Sequence, residues 1–300
     1  MADLAIHAEN LTKTYGRRRG LAGLDLSVQT GEVYGFLGPN GAGKTTTIRL
    51  LLDLIRPTSG SVELLGGDPR RDGVALRRRI GYLPGDFTVD GRQGVVELLT
   101  YLGNLRGGVR RDRVTALAER LDLDLTVRVH SLSRGNRQKV GLVQAFMHEP
   151  ELLILDEPTS GLDPLVQQTF LAMVREARAA GQTVFMSSHV MSEVQQTADR
   201  VGIVREGRMV AVERVEELRE RAVRNVEIHF ESPVPAEEFA ALPGVNDVSV
   251  VGEVLRCRLD GRADALVKAA ARHTVLSLRS EEPDLEDLFL VYYRGDGHAG

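Results

Sequence analysis

Gly38-Pro39-Asn40-Gly41-Ala42-Gly43-Lys44-Thr45, set between the apolar run Val33–Leu37 and the helical pattern Gly43–Leu54, decides how this chain reads. The eight residues fit G-x-x-x-x-G-K-[ST], a phosphate-binding loop when it joins a strand to a helix. Its glycines let backbone N–H groups converge on phosphate oxygens. The helix N-terminus adds partial positive charge. In that setting Lys44 reaches the β- and γ-phosphates and Thr45 holds Mg²⁺.

Outward from the loop, further short apolar runs read as buried strands: Leu152–Leu155 and Thr183–Ser187. Longer helical patterns lie among them, at Val95–Leu105, Asp112–Leu121, Gly135–Met147 and Pro164–Ala180. Strands alternating with helices predict an α/β fold with a parallel core sheet covered on both faces. The segment Ala5–Tyr15 followed by Leu24–Gln29 alternates in the antiparallel manner and predicts an added sheet.

Two motifs fall at predicted strand ends, where open α/β sheets bind ligands. Leu152–Leu155 runs into Asp156-Glu157. Asp156 would position Mg²⁺ and its waters, and Glu157 would polarise an attacking water. Ser187-Ser188-His189 closes the next strand, and a histidine there can hydrogen-bond a γ-phosphate.

From Glu213 to Arg221 the composition turns charged, and two domains are expected, 1–220 and 221–300. The second has a β-α-β-β-α-β rhythm: Val226–Phe230, Ala236–Ala241, Val245–Val250, Val254–Arg258, Ala263–Ala271 and Val275–Arg279. That order suits a small ferredoxin-like α+β domain. A closing helix is expected at Leu285–Tyr292.

Composition narrows the function classes. Lys plus Arg number 38 against 42 Asp plus Glu, a formal charge of −4, so a strongly basic nucleic-acid binder is not expected. Hydrophobic residues at 42% and charged residues at 27% fit a folded globular chain. Cys257 is the one cysteine, which excludes an internal disulfide and a multi-cysteine zinc site. No apolar run approaches the ~20 residues of a bilayer span, and the N-terminal segment lacks a basic-then-apolar signal pattern. Work at a membrane would need a partner. Arg17-Arg18-Arg19 and Arg77-Arg78-Arg79 read as solvated charge, and Cys257 as packed.

The order and spacing of these motifs resemble the ATP-binding subunit of an ABC transporter over nearly all of residues 1–220. Leu132-Ser133-Arg134-Gly135-Asn136-Arg137-Gln138 resembles the family signature LSGGQ. Ser160-Gly161-Leu162-Asp163 resembles the segment that communicates across the dimer, and Leu11–Gly16 the segment whose ring, here Tyr15, stacks on adenine. Ile80-Gly81-Tyr82-Leu83-Pro84 resembles the run into a loop touching both Mg²⁺ and the membrane partner. Glu282-Pro283-Asp284-Leu285-Glu286-Asp287-Leu288-Phe289-Leu290 resembles the C-terminal end of drug-resistance and ABC-2 exporters.

The resemblance implies a P-loop NTPase fold, with a helical signature subdomain beside the parallel core. It implies ATP and Mg²⁺, with Gly38 to Thr45, Thr46, Tyr15, Ser133, Gly135, Asn136 and Asp163 around nucleotide, and Thr45 and Asp156 on metal. Glu157, His189 and Lys44 would be catalytic. Ser133 and Gly135 would meet the ATP of a second copy in a head-to-tail dimer. An integral membrane permease would be the other partner, placing the chain peripherally on the cytoplasmic face of the membrane. The rival reading is a soluble ABC ATPase acting on ribosome or DNA. Against it, the chain has one cassette rather than two and shows no sustained heptads.

Two departures stand out. Arg134 and Asn136 replace the signature's usual Gly and Gln. Gly85 stands where the family usually has Gln, with Asp86 next to it as a candidate substitute toward the metal.

Overall fold

The computed structural model describes residues 3–16, 18–89, 91–221 and 223–280. Arg17, the expected helix Leu285–Tyr292 and the motif Glu282–Leu290 lie outside the described residues. The chain sorts into two compact units, 1–213 and 214–300.

The first unit is built on a six-stranded sheet. Its strand order is Ile80–Leu83, Leu152–Asp156, Thr183–Ser188, Val33–Leu37, Arg200–Arg205 and Arg208–Arg214. The first five run parallel. The three central apolar runs are buried along their whole length, as expected of strands covered on both faces. Register then does the functional work. Asp156 pairs with Ser187, and Leu37 with Ser188. The ends of three strands therefore align, and the residues that follow emerge at one sheet edge.

A three-stranded antiparallel sheet, Arg18–Gln29, Leu4–Tyr15 and Ser59–Leu64, packs nearby. Its second strand begins at Arg18 rather than Leu24, because Tyr15 pairs with Arg18 across a tight turn at Gly16. Leu11, Leu24, Leu26, Ile48, Leu51, Phe36 and Phe185 share one core. Phe36 and Phe185 approach to 5.3 Å between ring centroids. Each fully buried Leu or Phe contributes about 1.5–3 kcal/mol.

The helix after the phosphate loop, Lys44–Leu51, ends three residues before the expected Leu54. Asp53 enters the left-handed region at φ 55°, and Leu54 N donates to Arg49 O at 2.8 Å, a Schellman-type stop. The helices Val95–Leu105, Arg111–Arg120 and Arg134–Phe146 supply the helical signature region, and Pro164–Ala179 follows the Asp156 strand.

The second unit is a four-stranded antiparallel sheet in the order Val245–Val251, Val254–Leu259, Arg224–Phe230, Val275–Ser280. With helices Ala236–Ala240 and Asp264–Ala270 it completes the β-α-β-β-α-β order. Ile228, Phe230, Phe239, Leu255, Leu266 and Cys257 form its core, and burial pushes the Cys257 thiol up.

Candidate nucleotide site

The loop leaves the sheet at buried Gly38, whose Cα faces Val204 O. A Cβ there would come within 2.4 Å of that oxygen. Gly41 and Gly43 adopt φ of 81° and 111°, a region that L side chains rarely enter. Gly43 is also pressed from outside, since a Cβ would meet Gly20 O at 3.1 Å. Ala42 N donates to Pro39 O, and Gly207 N donates to Ala42 O at 2.9 Å. The loop is thus clamped by its own turn and by the backbone at Gly20 and Gly207. Pro39, Asn40 and Gly41 stay exposed at its crest, with Thr45 and Thr46 half-buried on the first helical turn.

Lys44 is 6% exposed. Its Nζ donates to Gly38 O at 2.5 Å and to Pro39 O at 3.4 Å, and lies 3.1 Å from Glu157 Oε1. The other oxygen, Glu157 Oε2, sits 2.7 Å from His189 Nδ1. Phosphate loop, acid and histidine therefore meet directly. Glu157 takes φ 48°, uncommon for a side-chain-bearing residue. Its N–H donates to Ser187 O at 3.2 Å and Ser187 Oγ at 3.0 Å. Gln138 Nε2 donates to Glu157 O and Pro158 O at 3.3 and 3.0 Å. These bonds fix the turn that aims the carboxylate at Lys44.

Asp156 is wholly buried. Its Oδ1 accepts from Ser187 Oγ at 2.6 Å, while Oδ2 has no hydrogen-bond partner. A buried orphan carboxylate oxygen is costly, and a hydrated cation would satisfy it. Among the described residues no group of three or more His, Cys, Asp or Glu gathers into a metal cluster. A cation held by one carboxylate, a hydroxyl such as that of Thr45, phosphate oxygens and waters suits Mg²⁺.

Tyr15 is half exposed, with Lys13 Nζ 5.2 Å from its ring centroid. Gly20 joins it to the loop. A Cβ on Gly20 would lie 2.9 Å from Tyr15 Cε2, and Gly20 O faces Gly43. The ring thus flanks the start of the phosphate-loop helix.

Ser133 caps the helix Arg134–Phe146, its Oγ accepting from Asn136 N at 3.2 Å. Gly135 lies against Gly161 O, where a Cβ would come within 2.8 Å, and Arg134 Nη2 donates to Ser160 Oγ at 3.3 Å. Asp163 caps the next helix, Oδ1 accepting from Leu165 N and Val166 N, which holds its carboxyl below the usual range. Among the described residues no hydrogen bond joins Ser133, Gly135 or Asn136 to Gly38–Thr46 within the chain.

Sequence reading missed Ser187, Gln138 and Glu193. Glu193 Oε2 accepts from Thr159 Oγ1 at 2.8 Å and from Ser188 Oγ at 3.1 Å, tying the post-acid segment to the strand before His189. Ser187 and Gln138 lie inside motifs of the sequence, but their targets are backbone atoms and neighbours 30 and 19 positions away.

A parallel sheet whose edge gathers a glycine-rich loop, its lysine, a buried aspartate and a glutamate–histidine pair defines the class: a phosphate-loop ATPase cassette. The family model for ABC transporters matches residues 21–160. The linearmycin resistance ATP-binding protein LnrL of Bacillus subtilis is 33% identical over 95% of this chain and 97% of its own. The bacitracin transport ATP-binding protein BcrA of Enterococcus faecalis is 34% identical over 99% of both chains. A solved ATP-binding subunit of an ABC transporter superposes with a TM-score of 0.67 at 28% identity, covering 72% of this chain and 92% of its own. The chain belongs to the ABC transporter ATP-binding family.

Proposed function

We propose that this chain is the ATP-hydrolysing subunit of an exporter, docked on the cytoplasmic side of a separate membrane permease. The meeting of Lys44, Glu157 and His189 beside buried Asp156 carries the reading. The relatives above are named for resistance and antibiotic transport rather than for translation or repair. No helix among the described residues is long and apolar enough to cross a membrane, which supports a separate permease. Residues 1–220 form the nucleotide-binding domain in this reading and 221–300 an accessory domain.

The chemistry follows from the site. Lys44 leaves Glu157 Oε1 for the β- and γ-phosphate oxygens. Glu157, freed, accepts a proton from a water that attacks the γ-phosphorus. The bond from that phosphorus to the β–γ bridging oxygen breaks, giving ADP and phosphate. His189 holds Glu157 Oε2 and faces the γ-phosphate. Thr45 and Asp156 would hold Mg²⁺, which neutralises phosphate charge. Ser133 and Gly135 of a second copy close the far side of the nucleotide, and hydrolysis removes that bridge. ATP thus biases a two-state dimer.

Affinity purification of the tagged chain from membranes tests this. A multi-spanning membrane protein that stimulates its ATPase should co-purify. Recovery with ribosomes or DNA instead would overturn the export reading.

A further inference from the structure

Glu193 lies outside the sequence motifs, yet it joins the supports of Glu157 and His189. Its Oε2 accepts from Thr159 Oγ1 at 2.8 Å and from Ser188 Oγ at 3.1 Å. Thr159 stands two residues after Glu157, and Ser188 directly before His189. Both are buried, at 6% and 2% exposure, so each hydroxyl depends on an acceptor inside the protein. Thr159 belongs to the turn that carries the base: Ser160 N donates to Glu157 O and Leu162 N to Thr159 O, both at 3.1 Å. Ser188 Oγ also accepts from Val190 N at 2.9 Å, so its bonds bracket the backbone of His189. The Ser188 hydroxyl has one proton, for which Val190 O at 3.3 Å competes. The carboxylate is the stronger acceptor.

Glu193 is itself held still. It sits in the short helix Met191–Gln195. The next residue, Val194, is fully buried on Gly35 of the strand that leads into the phosphate loop, where a Cβ would collide with Val194 Cγ1. Ala198 N donates to Val194 O at 2.8 Å, and Thr197 Oγ1 to Glu193 O at 3.3 Å.

We propose that Glu193 is a positioning residue for hydrolysis: one carboxylate oxygen gathers the Thr159 and Ser188 hydroxyls and so holds the turn bearing Glu157 against the strand end bearing His189. This rests on the ATPase reading and extends it to a residue outside the Lys44, Glu157 and His189 group. Glu157 keeps a φ of 48°, a conformation that persists only where the surroundings over-determine it. When Lys44 leaves for phosphate, Glu157 loses one of its two side-chain contacts. A turn fastened at Thr159 keeps the base in line after that loss.

The test measures turnover at saturating ATP and Mg²⁺ on the full chain, normalised to bound nucleotide, and titrates affinity with a non-hydrolysable ATP analogue. Glu193→Ala should leave analogue affinity and KM near wild type, because Lys44 and the phosphate loop are untouched. Its kcat should fall by about tenfold to 10²-fold, the cost of displacing reacting groups by about 1 Å. Both bonds end on one oxygen, so an amide oxygen in its place keeps both, and Glu193→Gln should recover most of the loss. In a Glu157→Gln background the base is already gone, and adding Glu193→Ala should cost little further turnover. Unchanged kcat in Glu193→Ala, no recovery in Glu193→Gln, or full additivity with Glu157→Gln would overturn the proposal. If Glu193→Ala does not fold, Thr159→Val removes one bond from the other side and should lower kcat with affinity kept; unchanged kcat there overturns the proposal equally. A wild-type chain that does not hydrolyse ATP would sink the ATPase reading instead, and this inference with it.

Discussion

Lys44 and Glu157 are paired, Nζ to Oε1 at 3.1 Å, so the cation that should meet phosphate and the base that should meet water hold each other. The pair is 6% and 20% exposed at its side chains, shielded enough for the attraction to matter. In the proposed mechanism phosphate displaces the carboxylate from the lysine, so binding and release of the base are one event.

Glu157→Gln removes the charge that competes for Lys44 and the basicity that activates water. Nucleotide binding should be kept or tightened, while hydrolysis should fall by about 10²–10⁴-fold, trapping an ATP-bound dimer. Lys44→Ala should lose tight binding altogether. Titration calorimetry, phosphate release and size-exclusion chromatography check these outcomes. Normal turnover in Glu157→Gln would remove it as the base.

Tyr15→Ala should weaken nucleotide binding by about 1–3 kcal/mol, the range for base–aromatic stacking. Gly20→Val should weaken it in the same direction with the ring still present, because its side chain would press on Tyr15 Cε2. ATP and GTP should be affected alike, since a ring face reads no base edge. Equilibrium titration of both variants with both nucleotides measures this.

His148 is one group that makes folding depend on pH. Burial, and then the charge of Arg106, push its pKa down from 6.5 to about 4, against a hydrogen bond to Ile80 O. The imidazole is therefore neutral in the fold at pH values where the unfolded chain already takes a proton. Its contribution is complete above about pH 6.5 and is lost as pH falls toward 4. Scaled down for partial exposure, that loss is about 1–3 kcal/mol. Denaturation midpoints at pH 7.5 and 5.0 should differ less in His148→Gln than in wild type.

Unbroken apolar runs made the central parallel strands legible, because burial on both faces leaves no room for polar alternation. The strand Ser59–Leu64 was hidden by its start, Ser59-Gly60-Ser61, which lies exposed. The hairpin Arg200–Arg205 and Arg208–Arg214 was missed too; in the second strand exposed and half-buried residues alternate although Met209–Val212 are all apolar, so the sequence shows no matching alternation. At the site, the identities of Lys44, Asp156, Glu157 and His189 were readable from motifs. Their closure was not, because it depends on the φ of 48° at Glu157 and on Ser187, neither of which a pattern encodes. Gly85 reads as a missing glutamine in one dimension. In three it packs against Asp156, where a Cβ would lie 3.2 Å from Oδ2.

In the proposed dimer a second copy completes each nucleotide site. Ser133 and Gly135 make no hydrogen bond to the phosphate loop of their own chain, and Gly135 sits under Gly161 O with no room for a side chain. Gly135→Val would collide with that oxygen and push the signature turn off the segment Ser160–Asp163. The variant should still bind nucleotide through its intact loop but fail to dimerise or turn over. Lys44→Ala has the opposite defect, a sound signature and a dead loop. If each ATP lies between one chain's loop and the other's signature, a mixed dimer contains one wholly intact site and one wholly broken site. Mixing the two inactive variants should then restore ATPase activity, up to about half of wild type if the sites act independently. Both defects in one chain, mixed with wild type, should give no such rescue. No recovery on mixing, with heterodimers confirmed by mass, would place both halves of the site in the same chain.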